Sequence, residues 1–373
     1  MKFLFVCGGT AGHINPALAI AGRLRELLPD AQFLFVGTGR EMENRLIPAE
    51  NFPLRNITIT GFARGVSPKD IKHNLNTLHN LAVSKKESEG ILDEFKPDVV
   101  TGTGGYVCYP VLKCAAKRGI PTVMHESNAV PGLTTKMLSG IVDKVLVAFE
   151  GVSGNYKKPE RVVFTGTPVR GQFEAVTREE AKRRLGIVGK PLVVSFWGSL
   201  GADLMNGKMA DFIKINAKSG ELWHIHATGG GKEGVTCMVE RLTERGLYGL
   251  PEWVDLRPYI NDMGIVMSAA DVVLCRAGAS TLAELTSIGR AAVLVPSPNV
   301  TNNHQEKNAR QLEKVGAASV FTEPECSGES LYNAVLSIIR DKDRLARMEN
   351  ASRKAGVPDA LGRITDIILS MIN

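Results

Sequence analysis

Four times along the chain a short apolar run ends in glycines or other small residues and opens directly into a helical pattern. Residues 3–7 lead into Gly8-Gly9-Thr10-Ala11-Gly12 and a helix predicted over 16–28. Residues 98–101 lead into Gly102-Thr103-Gly104-Gly105 and a helix through Lys117. Residues 192–196 lead into Gly198-Ser199-Leu200-Gly201, and residues 271–275 into Gly278-Ala279-Ser280 and a helix ending near Gly289. Further strands are predicted over 32–36, 122–125, 144–148, 162–165, 222–227 and 292–295. Short β-rich runs alternating with helices predict parallel sheets built from βαβ units. At 373 residues the chain is long enough for two of them. The expected fold class is therefore α/β, with two doubly wound, Rossmann-like domains facing a cleft. Ligands of such sheets sit beyond the carboxyl ends of the strands, where these small-residue turns fall.

The divide is expected near residues 164–168, where Gly166-Thr167-Pro168 follows a strand and Pro191 later opens a fresh one. A last helix is expected over 359–372 from the spacing of Leu361, Ile364, Ile367, Ile368, Met371 and Ile372. The apolar run after Met1-Lys2 is too short for a signal peptide, and no stretch approaches 18 apolar residues, so neither a leader nor a spanning helix is expected. The six cysteines are scattered without a Cys-x-x-Cys pair, which argues against a zinc ribbon or disulfide framework and fits a reducing cytosol. Of the net charge of +6, most lies in the first half, where residues 1–167 hold 20 Lys and Arg against 15 Asp and Glu. That excess suits a lipid surface, a phosphate or a nucleic acid, or is simply a solvated basic face.

The small-residue turns carry the chemistry. Glycines between strand and helix let the backbone approach a ligand, and the helix N-terminus behind them favours negative charge. A dinucleotide loop would read Gly-x-Gly-x-x-Gly with an acid about 20 residues on. Here the spacing is Gly-Gly-x-x-Gly and position 28 is leucine, so that reading is poor. His13, at the rim of the first turn, is of the residue type most often used as a general base, or makes a structural hydrogen bond at the helix start. Ser199 can donate to a phosphate oxygen, or Gly198 to Gly201 form a plain tight strand–helix turn. Ser280 and Thr281 stand in the first turn of a helix, and Glu284, one turn on, can accept from two sugar hydroxyls or lie on a surface. The run Asn302-Asn303-His304-Gln305-Glu306-Lys307-Asn308 suits neutral hydroxyls, because amides both donate and accept, or forms a capped loop. His125-Glu126-Ser127-Asn128 ends another first-domain strand. Residues 62–90 join Leu75, Leu78 and Leu81 to Lys72, Lys85 and Lys86, a pattern that either rests on an anionic membrane or packs on the sheet. Asp341-Lys342-Asp343 matches an Asp-x-Asp metal spacing but sits in a charged helical stretch, and reads as solvated surface.

Taken in order, Gly8 to His13 with Pro16, His125-Glu126-x-Asn128 with Pro131-Gly132, Gly166 to Arg170, Gly198-Ser199-x-Gly201-Ala202, the 275–284 block and the 302–308 run closely resemble the bacterial peptidoglycan glycosyltransferases of family 28, over essentially the whole chain. The resemblance implies a GT-B fold and an inverting transfer of GlcNAc from UDP-GlcNAc to the C4 hydroxyl of the MurNAc of lipid I, giving lipid II, without a cofactor or an essential metal. It implies an acceptor-binding, membrane-associating domain over 1–165, a UDP-GlcNAc domain over 166–356, and a last helix, 357–373, packed back on the first. Partners would then be UDP-GlcNAc, undecaprenyl-pyrophosphoryl-MurNAc-pentapeptide and an anionic membrane at its cytoplasmic face, not nucleic acid. Carried over by motif, His13 is the catalytic base. Thr10, Ala11, Gly12 and Asn128 line the cleft, and Arg170 and Ser199 meet the diphosphate. Ile260 packs by the uracil. Ala279, Ser280, Thr281, Leu282, Ala283 and Glu284 hold the diphosphate and ribose, and Gln305 reads the GlcNAc hydroxyls. Ala11, Asn15, Ser127 and Leu200 depart from the common pattern at their positions. Two other readings use the same residues: a UDP-GlcNAc 2-epimerase, which needs no lipid acceptor, and a nucleotide-sugar sensor, which turns nothing over.

Overall fold

The structure is a computed structural model that describes residues 1–61, 65, 67–169, 176–198 and 201–372, with the side chains of Pro68, Asp70, Leu75 and Leu78 outside that description. The chain divides into two compact units: Met1–Arg170 together with Asp359–Asn373, and Gly171–Pro358. Among the described residues every strand pairing is parallel.

In the first unit β1 (Lys2–Cys7), α1 (Ala11–Leu27), β2 (Gln32–Gly37), α2 (Glu41–Ala49), β3 (Leu54–Asn56), α3 (Pro68–Phe95), β4 (Val99–Gly104), α4 (Cys108–Lys117), β5 (Thr122–Glu126), α5 (Leu133–Leu138), β6 (Lys144–Val147) and β7 (Val162–Phe164) build a sheet in the order β3-β2-β1-β4-β5-β6-β7. The central strands read as unbroken apolar runs because both faces are covered. The period of two sorts the side chains. Phe3, Phe5, Phe33 and Phe35 share one face, where the β1–β2 register stacks Phe3 on Phe33 at 5.4 Å and Phe5 on Phe35 at 5.2 Å. Ile14, Ile20 and Leu24 of α1 cover these rings. Leu4, Val6, Val36 and Val100 face the other way, into a core shared with Val111 and Leu112 of α4.

The second unit runs α6 (Arg178–Arg184), β8 (Leu192–Phe196), α7 (Asp203–Ser219), β9 (Trp223–Ala227), α8 (Gly231–Glu244), β10 (Val254–Arg257), α9 (Met263–Ala269), β11 (Val272–Cys275), α10 (Ala279–Ile288), β12 (Ala291–Leu294), α11 (His304–Lys314), β13 (Ala318–Val320), α12 (Gly328–Arg340) and α13 (Lys342–Ala355), with sheet order β10-β9-β8-β11-β12-β13. The chain then returns to the first unit as α14 (Ala360–Ser370), which buries Ile364 and Ile368 in the phenylalanine core. In each sheet the strand order reverses once, between β1 and β4 and between β8 and β11. Those are the switch points where doubly wound sheets bind ligands.

Several expectations shift. α1 begins at Ala11, not at residue 16, because Pro16 lies close enough to the start for its missing N–H to cost only one bond in the early helix. His13 therefore stands in the first turn. β4 continues through Gly102 and Gly104, where a glycine turn was expected. A Cβ at Gly102 would meet Leu112, Met124 and Cys108 at 3.0–3.2 Å, so this glycine serves close helix–sheet packing, and the turn itself falls at Gly104 and Gly105. Among the described side chains α3 buries Thr77, Ser84, Ser88 and Leu92, while Leu81 is half-buried. Leu75 and Leu78, like Phe62 and Arg64, cannot be assigned to a face, since they lie outside the described set. Asp341 caps α13 by accepting from Arg344 N–H, and Asp341 and Asp343 are exposed. The buried α14 seam yields a test. Ile368→Ala removes a fully buried side chain and should cost the first unit about 2–5 kcal/mol, measured by urea unfolding against the parent chain.

Candidate functional site

Both units bring their small-residue turns to the carboxyl ends of neighbouring strands, but they treat the backbone N–H groups there differently. In the first unit β1 ends at Gly8 and Gly9, and Thr10 caps α1 without a side-chain hydrogen bond. Gly9 N–H donates to Glu43 Oε1 at 2.8 Å, and Gly8 N–H to Gly104 O at 3.2 Å. The second turn lies directly on the first: Gly105 has φ +92°, and a Cβ there would come within 2.6 Å of Gly8 O. His13 is half-buried, and its Nδ1–H donates to Gly8 O at 2.8 Å. Because a carbonyl only accepts, this bond leaves the lone pair on Nε2. The ring lies in a slot above Gly104, where a Cβ would stand 2.3 Å from Cδ2. Thr103 Oγ–H anchors the His13 carbonyl at 2.6 Å. The same helix turn carries Ala11 and Gly12, both half-buried.

At the end of β5, buried Glu126 organises the polar loop. It accepts from Asn128 N–H and Nδ2–H at 3.0 Å each, from Gly132 N–H at 3.1 Å and from Thr135 Oγ–H at 2.7 Å. Asn128 is thereby oriented at the same sheet edge as His13. His125 points inward: its Nε2–H donates to Gly166 O at 3.0 Å, and burial lowers its pKa, so it is a neutral structural imidazole.

The second unit holds a cavity of about 460 Å³ at the ends of β8 and β11, lined among others by Trp197, Gly198, Gly201, Arg276, Thr281 and Gln305. That volume falls in the range of small-molecule sites. Gly201, at φ +74°, passes close to the next loop: a Cβ would lie 2.3 Å from Thr228 O. α10 starts at Ala279 behind Gly278, which has no side chain to cap it. The first N–H groups of α10 thus have neither an intrahelical partner nor a side-chain cap, an arrangement suited to an anion. Ser280 Oγ and Trp197 Nε1 are buried without partners among the described residues, two further donors at this end of the sheet. Arg276 is held on the wall. Nη1 donates to Val295 O at 3.1 Å and Pro296 O at 3.2 Å, Nη2 bonds Glu323, and the guanidinium lies 5.7 Å from the Trp197 ring.

Gln305 stands in the first turn of α11, where a polar loop was expected. Asn302 and Asn303, both at positive φ, turn the chain into that helix. Gln305 Oε1 accepts from Ser297 N–H at 2.9 Å, which leaves its amide N–H₂ as the donor end. Glu284 is half-buried one turn into α10, and desolvation pushes its carboxyl up to about 7. Leu282 is buried at 2% exposure and belongs to the core side of α10, and Ala283 is half-buried. Ile260 is 1% exposed in the loop after β10, and it is not among the residues lining the cavity. Arg170 and Ser199 lie outside the described residues. Among the described residues no group of three His, Cys, Asp or Glu is placed to hold a metal ion.

Sequence reasoning missed Trp197, Glu43 and Glu323. Trp197 directly follows β8, and a large aromatic between a strand and its glycine turn was a readable signal. Glu43 and Glu323 carried none, since one sits inside a helix remote from the first turn in sequence and the other follows the unpredicted three-residue β13.

Residues 3–147 match the sequence model of the glycosyltransferase family 28 N-terminal domain, and residues 192–364 that of the family 28 C-terminal domain. A protein of Thermoanaerobacter sp. (strain X514) is 45% identical over 372 residues, covering 100% of both chains. It is named UDP-N-acetylglucosamine–N-acetylmuramyl-(pentapeptide) pyrophosphoryl-undecaprenol N-acetylglucosamine transferase. A protein of the same name from Listeria monocytogenes serotype 4b is 41% identical over 374 residues, again covering 100% of both. Among solved structures, the MurG of Acinetobacter baumannii superposes with a TM-score of 0.77 at 26% identity, covering 99% of each chain. A UDP-GlcNAc 2-epimerase from Neisseria meningitidis, bound to UDP-GlcNAc, reaches a TM-score of 0.68 at 12% identity, covering 99% of this chain and 100% of its own, a likeness of fold alone.

The raised carboxyl of Glu284 has a consequence for stability. An acid whose pKa is higher folded than unfolded opposes folding once it must ionise. Its penalty is absent below the unfolded value of 4.5 and complete above about 7. Glu284→Gln should therefore stabilise the second unit at pH 8 by up to about 3 kcal/mol. The advantage should shrink as pH falls from 7 towards 4.5, read from thermal melts across that range.

Proposed function

The chain belongs to glycosyltransferase family 28, and on that premise we infer that it is a GT-B hexosyltransferase of peptidoglycan synthesis. It transfers GlcNAc from UDP-GlcNAc to the MurNAc of undecaprenyl-pyrophosphoryl-MurNAc-pentapeptide. The observation that carries this reading is the full-length 45% identity to a transferase of that specificity, in a chain whose second unit has a cavity lined by Trp197, Gly278 and Thr281 beside the uncapped N-terminus of α10. The epimerase alternative has only the shared fold behind it, at 12% identity.

In this reading the donor belongs to the second unit. Its diphosphate lies at the start of α10, where N–H groups, Thr281 and the Ser280 hydroxyl supply donors, and Ser199 and Arg170 complete the set. Glu284 takes the ribose hydroxyls, Ile260 flanks the uracil, and Gln305 donates to GlcNAc. The acceptor hydroxyl belongs to the first unit, near Thr10, Ala11, Gly12 and Asn128. The C4 oxygen forms a bond to the anomeric carbon as the bond from that carbon to the UDP oxygen breaks, inverting the centre. The hydroxyl proton passes to His13 Nε2, the nitrogen that the Gly8 bond leaves with its lone pair. Charge growing on UDP is met by donors already in place, so little reorganisation is needed as the bond breaks.

The lipid-linked acceptor implies work at an anionic membrane, at the cytoplasmic face. No helix among the described residues is long and apolar enough to cross one. The support for peripheral contact is the start of α3, where Ile71 is 55% exposed between exposed Lys69 and Lys72.

Two outcomes follow. His13→Ala should lower kcat by roughly 10²–10⁴-fold with little change in KM for UDP-GlcNAc, followed with labelled donor and a lipid I analogue. Near-normal turnover would remove His13 as the base. Ile71→Asp combined with Lys69→Gln and Lys72→Gln should weaken sedimentation with phosphatidylglycerol vesicles and flatten its salt dependence, and unaltered binding would exclude this surface.

A further inference from the structure

We propose that Glu43 is a positioning residue for the transfer: its carboxylate fills the anion slot of the first glycine turn and so presents His13 to a neutral hydroxyl. The proposal rests on His13 being the base.

Glu43 lies on α2 and is fully buried. Its two oxygens are met by three neutral donors. Gly9 N–H reaches Oε1 at 2.8 Å, Thr38 N–H reaches Oε2 at 2.5 Å, and Thr38 Oγ–H reaches Oε1 at 2.8 Å. The backbone is shaped around this carboxylate. A Cβ at Gly8 or at Gly37 would lie 2.7 Å from one of its oxygens. The carboxyl ends of β1 and β2 therefore both close on one side chain.

The link to His13 is short. Glu43 holds Gly9, Gly9 is bonded to Gly8, and Gly8 O takes the Nδ1–H of His13 at 2.8 Å. The ring packs closely on Gly104, where a Cβ would stand 2.3 Å from Cδ2. Moving Gly8 away from the ring therefore breaks the Nδ1–H bond that keeps the lone pair on Nε2. The same carboxylate sets ligand class. A phosphate at this turn would find the Gly9 N–H already taken and would lie beside the Glu43 carboxylate, although the first N–H groups of α1 carry no side-chain cap. A neutral alcohol pays neither cost. What sets this turn apart is the buried carboxylate against it, which favours a hydroxyl over a phosphate beside Gly9.

Glu43→Gln tests the idea, since an amide keeps the shape but sets an N–H₂ against a backbone or hydroxyl donor. The expected result is a fall in kcat of about 10–100-fold with KM for UDP-GlcNAc within about twofold. Introducing the same change into His13→Ala should cost little more, because both act on one proton transfer. A folded Glu43→Gln with parental kcat, or a loss that multiplies fully with that of His13→Ala, overturns the proposal. A silent Glu43→Gln beside a crippled His13→Ala overturns it alone, whereas an active His13→Ala sinks the base assignment and the proposal with it. If Glu43→Gln does not fold, Thr38→Val keeps the carboxylate and deletes one donor. It should lower kcat by about 3–10-fold with the same insensitivity in the His13→Ala background, and an unchanged kcat overturns the proposal.

Discussion

Backbone N–H groups left over where a parallel strand turns into a helix are the constraint on which this protein is arranged. A doubly wound sheet gathers such turns at one edge, beside the point where strand order reverses. Each turn must find acceptors, from the protein or from a ligand. In the first unit Glu43 and the Gly104 carbonyl supply them. In the second, a glycine caps α10 and no side chain does. One fold, used twice, thus carries a buried carboxylate on the glycine turn of its first unit, while both α1 and α10 begin without a side-chain cap.

Buried polar groups sharpen both surfaces. Glu126 accepts four hydrogen bonds and holds the loop of Asn128. Arg276 and Glu323 neutralise one another in the cavity wall while three acceptors fix the guanidinium plane. Deeper in the second sheet, Ser195 Oγ lies 2.7 Å from both His224 Nε2 and His226 Nδ1, and burial keeps both imidazoles neutral, with His226 lowered to about 4. Such groups are costly when unpaired and orienting when paired.

Much of this was legible in the chain itself. Alternating phenylalanines and valines in short runs imply parallel strands, and the small-residue turns mark the sheet edge that binds. His13, Thr281 and Gln305 could be singled out by residue type and by position after a strand. The start of α1 was harder to read, because Pro16 imitates a helix beginning. The stretch at Gly102 was harder again, since glycine is chosen there for the space left by Leu112 and Met124 and not for a turn. The strands β3, β10 and β13 lacked an unbroken apolar run, since Arg55 and Asn56, Asp255 and Arg257, and Ser319 interrupt them.

Local pattern alone determined the α/β class, the doubled architecture and the sheet edges that carry the small-residue turns, because these depend on residues near one another in sequence. Tertiary structure decided which charged side chains close on those turns. Glu43 reaches Gly9 across 34 positions, and Glu323 reaches Arg276 across 47. A carboxylate's effect depends on distance in space, and only the folded sheet brings such pairs into contact.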